Sequence, residues 1–192
     1  RLYFLFEEPC EWTLVLSGGK ALPGGRNGFI HEYFGLSEAV TGFDMIIPAG
    51  CRLTEAYAFT DGELPEWVHI WEPPCEKADL MIMPTHADDE HLWFGGAMPY
   101  YAGELGCKVQ VVYLTYHADA PWRFHELLNG LWTVGVRNYP VFVDKFRDTV
   151  DTKPSLYAAQ SIFGHDRVLE YQGEMLRRFS PRVILAHDIN GE

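Results

Sequence analysis

The sequence predicts an α/β protein: an open, mostly parallel sheet with flanking helices, preceded by a small antiparallel, β-sandwich-like domain. Three observations predict it. Short apolar or alternating runs fill the first 65 residues, separated by glycine and proline clusters. A stretch rich in tryptophan and proline follows. From Ala78 onward, strand-like apolar runs alternate with segments of helical periodicity.

In the first segment, residues 2–6, 12–16, 29–34, 43–47 and 53–59 read as strands. The turn formers between them are Gly18-Gly19, Pro23-Gly24-Gly25, Pro48-Ala49-Gly50 and Asp61-Gly62. Residues 1–65 are therefore expected to form a β-rich domain, a β-sandwich or part of one. Residues 66–77 carry Trp67, Trp71, Pro73 and Pro74 and read as an ordered linker, because proline restricts the backbone.

Residues 78–84 form a continuous apolar run, as expected of a strand buried on both faces. A helix is expected over 92–105, weakened by Gly95, Gly96 and Pro99. A second strand spans 108–115, and Phe124, Leu127, Leu128, Leu131 and Trp132 recur at helical spacing. A third strand is expected at 139–143. Val168, Tyr171, Met175, Leu176 and Phe179 mark a further helix, and residues 183–186 a fourth strand. Such alternation implies right-handed crossovers and a Rossmann-like open sheet over residues 78–192.

Composition narrows the function. The net charge of −12 argues against a nucleic-acid partner, whose phosphates are held by basic patches. No run approaches the ~20 apolar residues of a membrane span. Cys10, Cys51, Cys75 and Cys107 are scattered without a CxxC pair, unlike a zinc knuckle or a dense disulfide scaffold. The chain begins at Arg1 inside an alternating run and ends at Glu192 just past an apolar strand. It therefore reads as a piece of a longer protein, and no compartment is assigned.

His86, Asp88, Asp89 and Glu90 follow directly on the apolar run at 80–83. In open α/β sheets this is the edge where ligands bind. Three adjacent carboxylates repel one another, and a divalent cation relieves that cost. Histidine and aspartate suit zinc or a similar transition metal, and His86 and Asp89 are close enough in sequence to reach one ion from a tight turn. The plainer alternative is that Asp88, Asp89 and Glu90 cap the next helix and favour its dipole.

The run Thr85-His86-Ala87-Asp88-Asp89-Glu90 resembles the (A/T)HPDDE motif of the PIG-L/LmbE-like zinc-dependent N-acetylglucosaminyl de-N-acetylases, with Ala87 in place of the proline. Arg123-Phe124-His125-Glu126 is similar to the family's R-x-x-E. The stretch from Ala186 to Glu192 resembles the lead-in to its late metal-binding segment. The resemblance covers residues 78–192 and implies an LmbE-like fold. It also implies a Zn2+ or other divalent ion on His86 and Asp89, with Asp88 as general base. Arg123, Glu126 and His187 are then expected on the substrate side. The implied reaction is removal of the N-acetyl group from a GlcNAc-containing sugar or glycoconjugate by metal-activated water. The family's third ligand is a histidine in a later glycine- and histidine-rich segment; the chain ends before it, and His187 is the nearest residue that could partly substitute.

Other residues carry weaker expectations. His117 and Asp119 follow the second strand and read equally as pocket or solvated loop. Arg123 could simply pair with Glu126 one turn away. His125 is expected in a surface or packing role, His31, His69 and His165 as structural or exposed, and Trp93 and Trp132 in the core. The competing reading is a carbohydrate-binding protein whose α/β part is inactive, with Trp12, Tyr33 and Trp67 as its exposed aromatics.

Overall fold

A computed structural model describes residues 1–115, 120–142 and 165–187. Its contacts divide the chain into two units, Arg1–Trp71 and Glu72–Glu192.

The first unit holds six strands: β1 (Leu2–Phe6), β2 (Trp12–Leu16), β3 (Ala21–Gly24), β4 (His31–Phe34), β5 (Phe43–Ile46) and β6 (Leu53–Ala58). They form two antiparallel sheets, ordered β4-β1-β6 and β3-β2-β5. In the first, Phe4 pairs with Glu32 on one side and Ala56 on the other. Alternation decides what is buried. Leu2, Phe4 and Phe6 of β1 join Trp12 and Leu14 of β2 and Cys10 in one core. Tyr3, on the other face of β1, is buried with His31 and His69, its hydroxyl 3.1 Å from His31 Nδ1. Burying a side chain such as Phe6 or Leu14 stabilises the unit by roughly 2–3 kcal/mol. The Cys10–Cys51 disulfide closes this core at one end. Gly25, at φ +76°, is required where it stands, since a Cβ there would lie 1.9 Å from the Cys10 carbonyl oxygen. Strand β3 was not expected from the sequence; Trp12, expected exposed, is 2% exposed because it shares the inward face of β2 with Leu14.

The second unit is organised on β7 (Leu80–Met83), β8 (Val109–Val111) and β9 (Val183–Ala186). They make a parallel sheet ordered β8-β7-β9, with Leu80 opposite Val109 and Val183, and Met83 opposite Ala186. Its helices are α1 (Asp89–Leu92), α2 (Trp122–Thr133) and α3 (His165–Phe179), with a π-helical turn at Pro99–Glu104. Tyr171, Met175 and Phe179 of α3 pack with Met81, Val112, Ala78 and Cys75. Gln110, fully buried in β8, accepts from the Cys75 amide and donates to the Tyr139 carbonyl. One side chain thus ties Cys75, ahead of β7, and Tyr139, after α2, to the outer strand β8.

The expected fold class does not hold. Among the described residues, six of the nine strands lie in antiparallel sheets, and the one parallel sheet has three strands. It is not a Rossmann-like open sheet with a full set of flanking helices. Two local causes are visible. Among the described residues, the expected third strand contributes only the isolated bridge Val112–Val141, since the Tyr139 amide donates to the Glu72 carbonyl and its carbonyl accepts from the Gln110 side chain rather than pairing with the β8 backbone. The expected helix over 92–105 does not form as one element: α1 already ends at Leu92, and the π turn covers only Pro99–Glu104. A Cβ at Gly95 would lie 2.3 Å from the His91 carbonyl oxygen, and Pro99 opens the second piece. Among the described residues, no helix is long and apolar enough to cross a membrane.

Candidate metal and catalytic site

The site begins where β7 ends. The Thr85 carbonyl accepts from the Thr115 amide at 3.0 Å and from its hydroxyl at 2.7 Å, so the turn entering the acidic run is tied to the chain following β8. From there the three carboxylates diverge. Their mutual repulsion is lowered by direction, since each meets a different set of partners.

Asp89 points inward and is 2% exposed. Its Oδ2 accepts from the His86 amide at 2.7 Å. The same oxygen lies 3.4 Å from His86 Nδ1 and 3.3 Å from His187 Nε2. His187 directly follows β9, so adjacent parallel strands deliver both imidazoles to one carboxylate. Its Nε2 is shielded from solvent and, among the described residues, makes no hydrogen bond. The ring is flanked by Phe94, with centroids 5.2 Å apart, and by Trp93 at 6.5 Å.

Asp88 points the other way, with its side chain 52% exposed. It stands at the N-cap of α1 but makes no side-chain capping bond. Its Oδ2 instead accepts from Arg123 Nη2 at 3.1 Å, and the same nitrogen donates to the Ala87 carbonyl at 2.8 Å. Capping therefore does not account for Asp88, and Arg123 reaches across from α2 to the acidic turn. Glu126 is exposed on α2.

Glu90 is 1% exposed and serves as an internal brace. Its Oε1 lies 2.8 Å from His91 Nδ1, and this bond, more than the opposing effect of burial, raises the His91 pKa. The His91 ring rests on Gly130 of α2, where a Cβ would come within 2.7 Å of its Cε1. Tyr113, wholly buried, has its phenol held protonated well beyond its ordinary range, first by burial and then by the negative charge of Glu90, Asp89 and Asp88.

The structure thus brings together His86, Asp88, Asp89, Arg123 and His187, and leaves Glu126 at the surface. His117 and Asp119 lie outside the described residues. Trp93, expected in the core, is 59% exposed. The sequence reading did not single out Glu90, His91, Tyr113 and Gly130 as a brace; a glycine within a helical run, one helix away from a histidine, was its only trace. Among the described residues, no group of three or more His, Cys, Asp or Glu side chains is arranged to hold a metal ion. The donor set nonetheless suits a transition ion, with imidazole and carboxylate donors and one buried imidazole nitrogen lacking a hydrogen bond.

Compared with protein-family models, curated proteins and solved structures, the chain matches none.

Proposed function

We propose that the chain carries the acidic half of a metal-dependent hydrolase of the PIG-L/LmbE kind, removing the N-acetyl group from a GlcNAc-containing sugar or glycoconjugate. The observation that carries this reading is the division of labour between neighbouring aspartates. Asp89 is buried against two imidazoles, while Asp88, one residue earlier, is half exposed and braced by an arginine.

His86 and Asp89 would hold the ion. Around a tetrahedral zinc with bonds of about 2.0–2.1 Å, ligand atoms stand about 3.3–3.4 Å apart. The 3.4 Å between His86 Nδ1 and Asp89 Oδ2 fits that spacing better than a hydrogen bond. A divalent ion supplies Lewis acidity, lowering the pKa of water and polarising an amide carbonyl. The remaining work falls to side chains. Asp88 would take the proton from the attacking water, its Oδ2 being held by Arg123. Arg123 keeps the turn in register through the Ala87 carbonyl and places positive charge beside the substrate. Phe94 and Trp93 form an apolar wall beside His187, against which a sugar ring can rest.

Incubating the zinc-loaded protein with diacetylchitobiose and measuring free acetate tests the reading. Release that stops on chelation supports it; zinc bound without acetate release from this or other N-acetylated sugars sinks it.

The second reading, a carbohydrate-binding protein, has one observation in its favour. Trp67 is 49% exposed, with the Tyr57 ring edge-on at 4.8 Å, in the first unit. Glycan binding that survives both chelation and Asp88→Ala would favour it.

A further inference from the structure

We infer that Tyr3, His31 and His69 form a buried latch limited to one shared proton, which holds residues 67–71 against the sheet β4-β1-β6 near neutral pH and releases them on acidification. The three side chains come from separate stretches of the first unit: β1, β4 and the chain after β6. All are buried, His31 at 1% and His69 at 2% exposure. The Tyr3 hydroxyl stands 3.1 Å from His31 Nδ1, and the same nitrogen stands 2.9 Å from His69 Nδ1. These nitrogens are much closer than the ring centroids, which are 4.8 Å apart with planes 30° from parallel. The two imidazoles therefore meet through Nδ1 and not through their faces.

Each Nδ1 offers one position in the ring plane, either an N–H or a lone pair. A hydrogen bond between two such nitrogens holds a single proton, with one ring donating and the other accepting. Two imidazolium rings would set N–H against N–H and two positive charges side by side, away from water. Tyr3 gives the bond its direction. Its oxygen accepts from the His69 amide, and burial keeps the phenol protonated, so its O–H is directed at His31 Nδ1. His31 is the acceptor and His69 the donor.

The titratable groups around the pair supply little to offset a second charge. Tyr57, on β6, packs near the Tyr3 ring, and its hydroxyl bonds to the exposed Glu55 carboxylate. Glu32 follows His31 on β4 and points to the opposite face, where it accepts from the Gly25 amide. Glu66, three residues before His69, is exposed, so water screens it as it screens Glu55.

Released histidines each take a proton below about pH 6.5. The closed latch cannot accept both, so the open form binds at least one proton more. Stability of the closed form is complete above that pH. It falls as pH drops, the opening constant rising about tenfold per pH unit for each extra proton. Opening also separates Trp71 from His69 and Trp67 from Tyr3, whose ring centroids are 5.6 and 6.1 Å apart when closed.

Amide hydrogen exchange of the full chain, followed by mass spectrometry from about pH 8 to about pH 5 and corrected for the intrinsic rate at each pH, tests this. Protection of β1, β4 and residues 67–71 is expected to be level above about pH 6.5 and to fall about tenfold per unit below it. In His69→Asn the new amide can donate to His31 or accept from it without titrating, and the slope is expected to disappear. Glu32 is present in both proteins, so its own titration cancels in the comparison. If His69→Asn lacks the parent's protection at pH 8, His31→Asn takes its place. Imidazole nitrogen-15 shifts of the parent give a reading independent of either variant. One ring of the pair staying neutral about a pH unit below 6.5 while the unit remains closed upholds the latch. Both rings ionising near pH 6.5 with protection intact overturns it, as does an equal slope in parent and variant.

Discussion

Arg123 Nη2 bonds simultaneously to the Asp88 carboxylate, at 3.1 Å, and to the Ala87 carbonyl, at 2.8 Å, so one guanidinium from α2 holds both the side chain and the backbone of the acidic turn. Asp88 is half exposed and Arg123 one-third exposed, and ion pairs this open to water contribute about 0–1 kcal/mol. Arg123→Ala is therefore expected to change stability by less than about 1 kcal/mol in urea unfolding while lowering kcat/KM by tenfold or more. A stability loss well above that bound would make Arg123 a structural residue.

The Cys10–Cys51 bond spans 41 residues of sequence. Loop-closure entropy puts its contribution at about 4 kcal/mol. Urea unfolding with and without reductant, or of the double serine variant, is expected to show a drop of that order in the first unit. An unchanged midpoint would mean that the Leu2, Phe4 and Trp12 core suffices.

Gly130 sits where a Cβ would come within 2.7 and 2.9 Å of His91 Cε1 and Nε2. Alanine gains about 1 kcal/mol of helix propensity over glycine, but overpacking costs about 1–3 kcal/mol. His91 cannot swing aside without losing its 2.8 Å bond to Glu90. Gly130→Ala is expected to be net destabilising, whereas Gly96→Ala, with open space around it, should lie within about 0.5 kcal/mol of the parent. Equal thermal midpoints for the two variants would contradict the brace.

Burial raises the pKa of Glu32, whose Oε2 accepts from the Gly25 amide at 3.3 Å while Oε1 is buried without a hydrogen bond. A carboxyl whose folded pKa is raised favours the fold when protonated. Its stabilising effect is present below the unfolded value of about 4.5 and is lost as pH rises through the folded one. Glu32→Gln is expected to raise the melting temperature at pH 7, with the gap closing below about pH 4.5. A variant less stable than the parent at pH 7 would show the ionised form to be favoured.

Much of the local structure could be read from the residues. The alternation of Trp12, Leu14 and Leu16 places β2, the unbroken Leu80 to Met83 run places β7, and the spacing of Tyr171, Met175 and Phe179 gives the buried face of α3. Sheet membership was not legible, because alternation describes one strand and says nothing of its neighbours. Pro99, which opens the π turn, was visible in the sequence, whereas the bond from the Tyr139 amide to Glu72, which leaves the expected third strand a bridge, was not. At the site, residue types were legible and directions were not. Asp88, Asp89 and Glu90 are chemically similar, and only the contacts with Arg123, His187 and His91 separate outward, inward and bracing roles.

Acetate release by Asp88→Asn tests the central claim most directly, measured on diacetylchitobiose beside the parent protein at matched zinc content. The two forms are expected to bind zinc alike, since Asp88 is not assigned to the ion. The variant is expected to lose about 10²–10⁴-fold in rate, the range for removing a general base. Equal rates in the two proteins, or loss of zinc from the variant, would contradict the assignment of binding to Asp89 and proton transfer to Asp88.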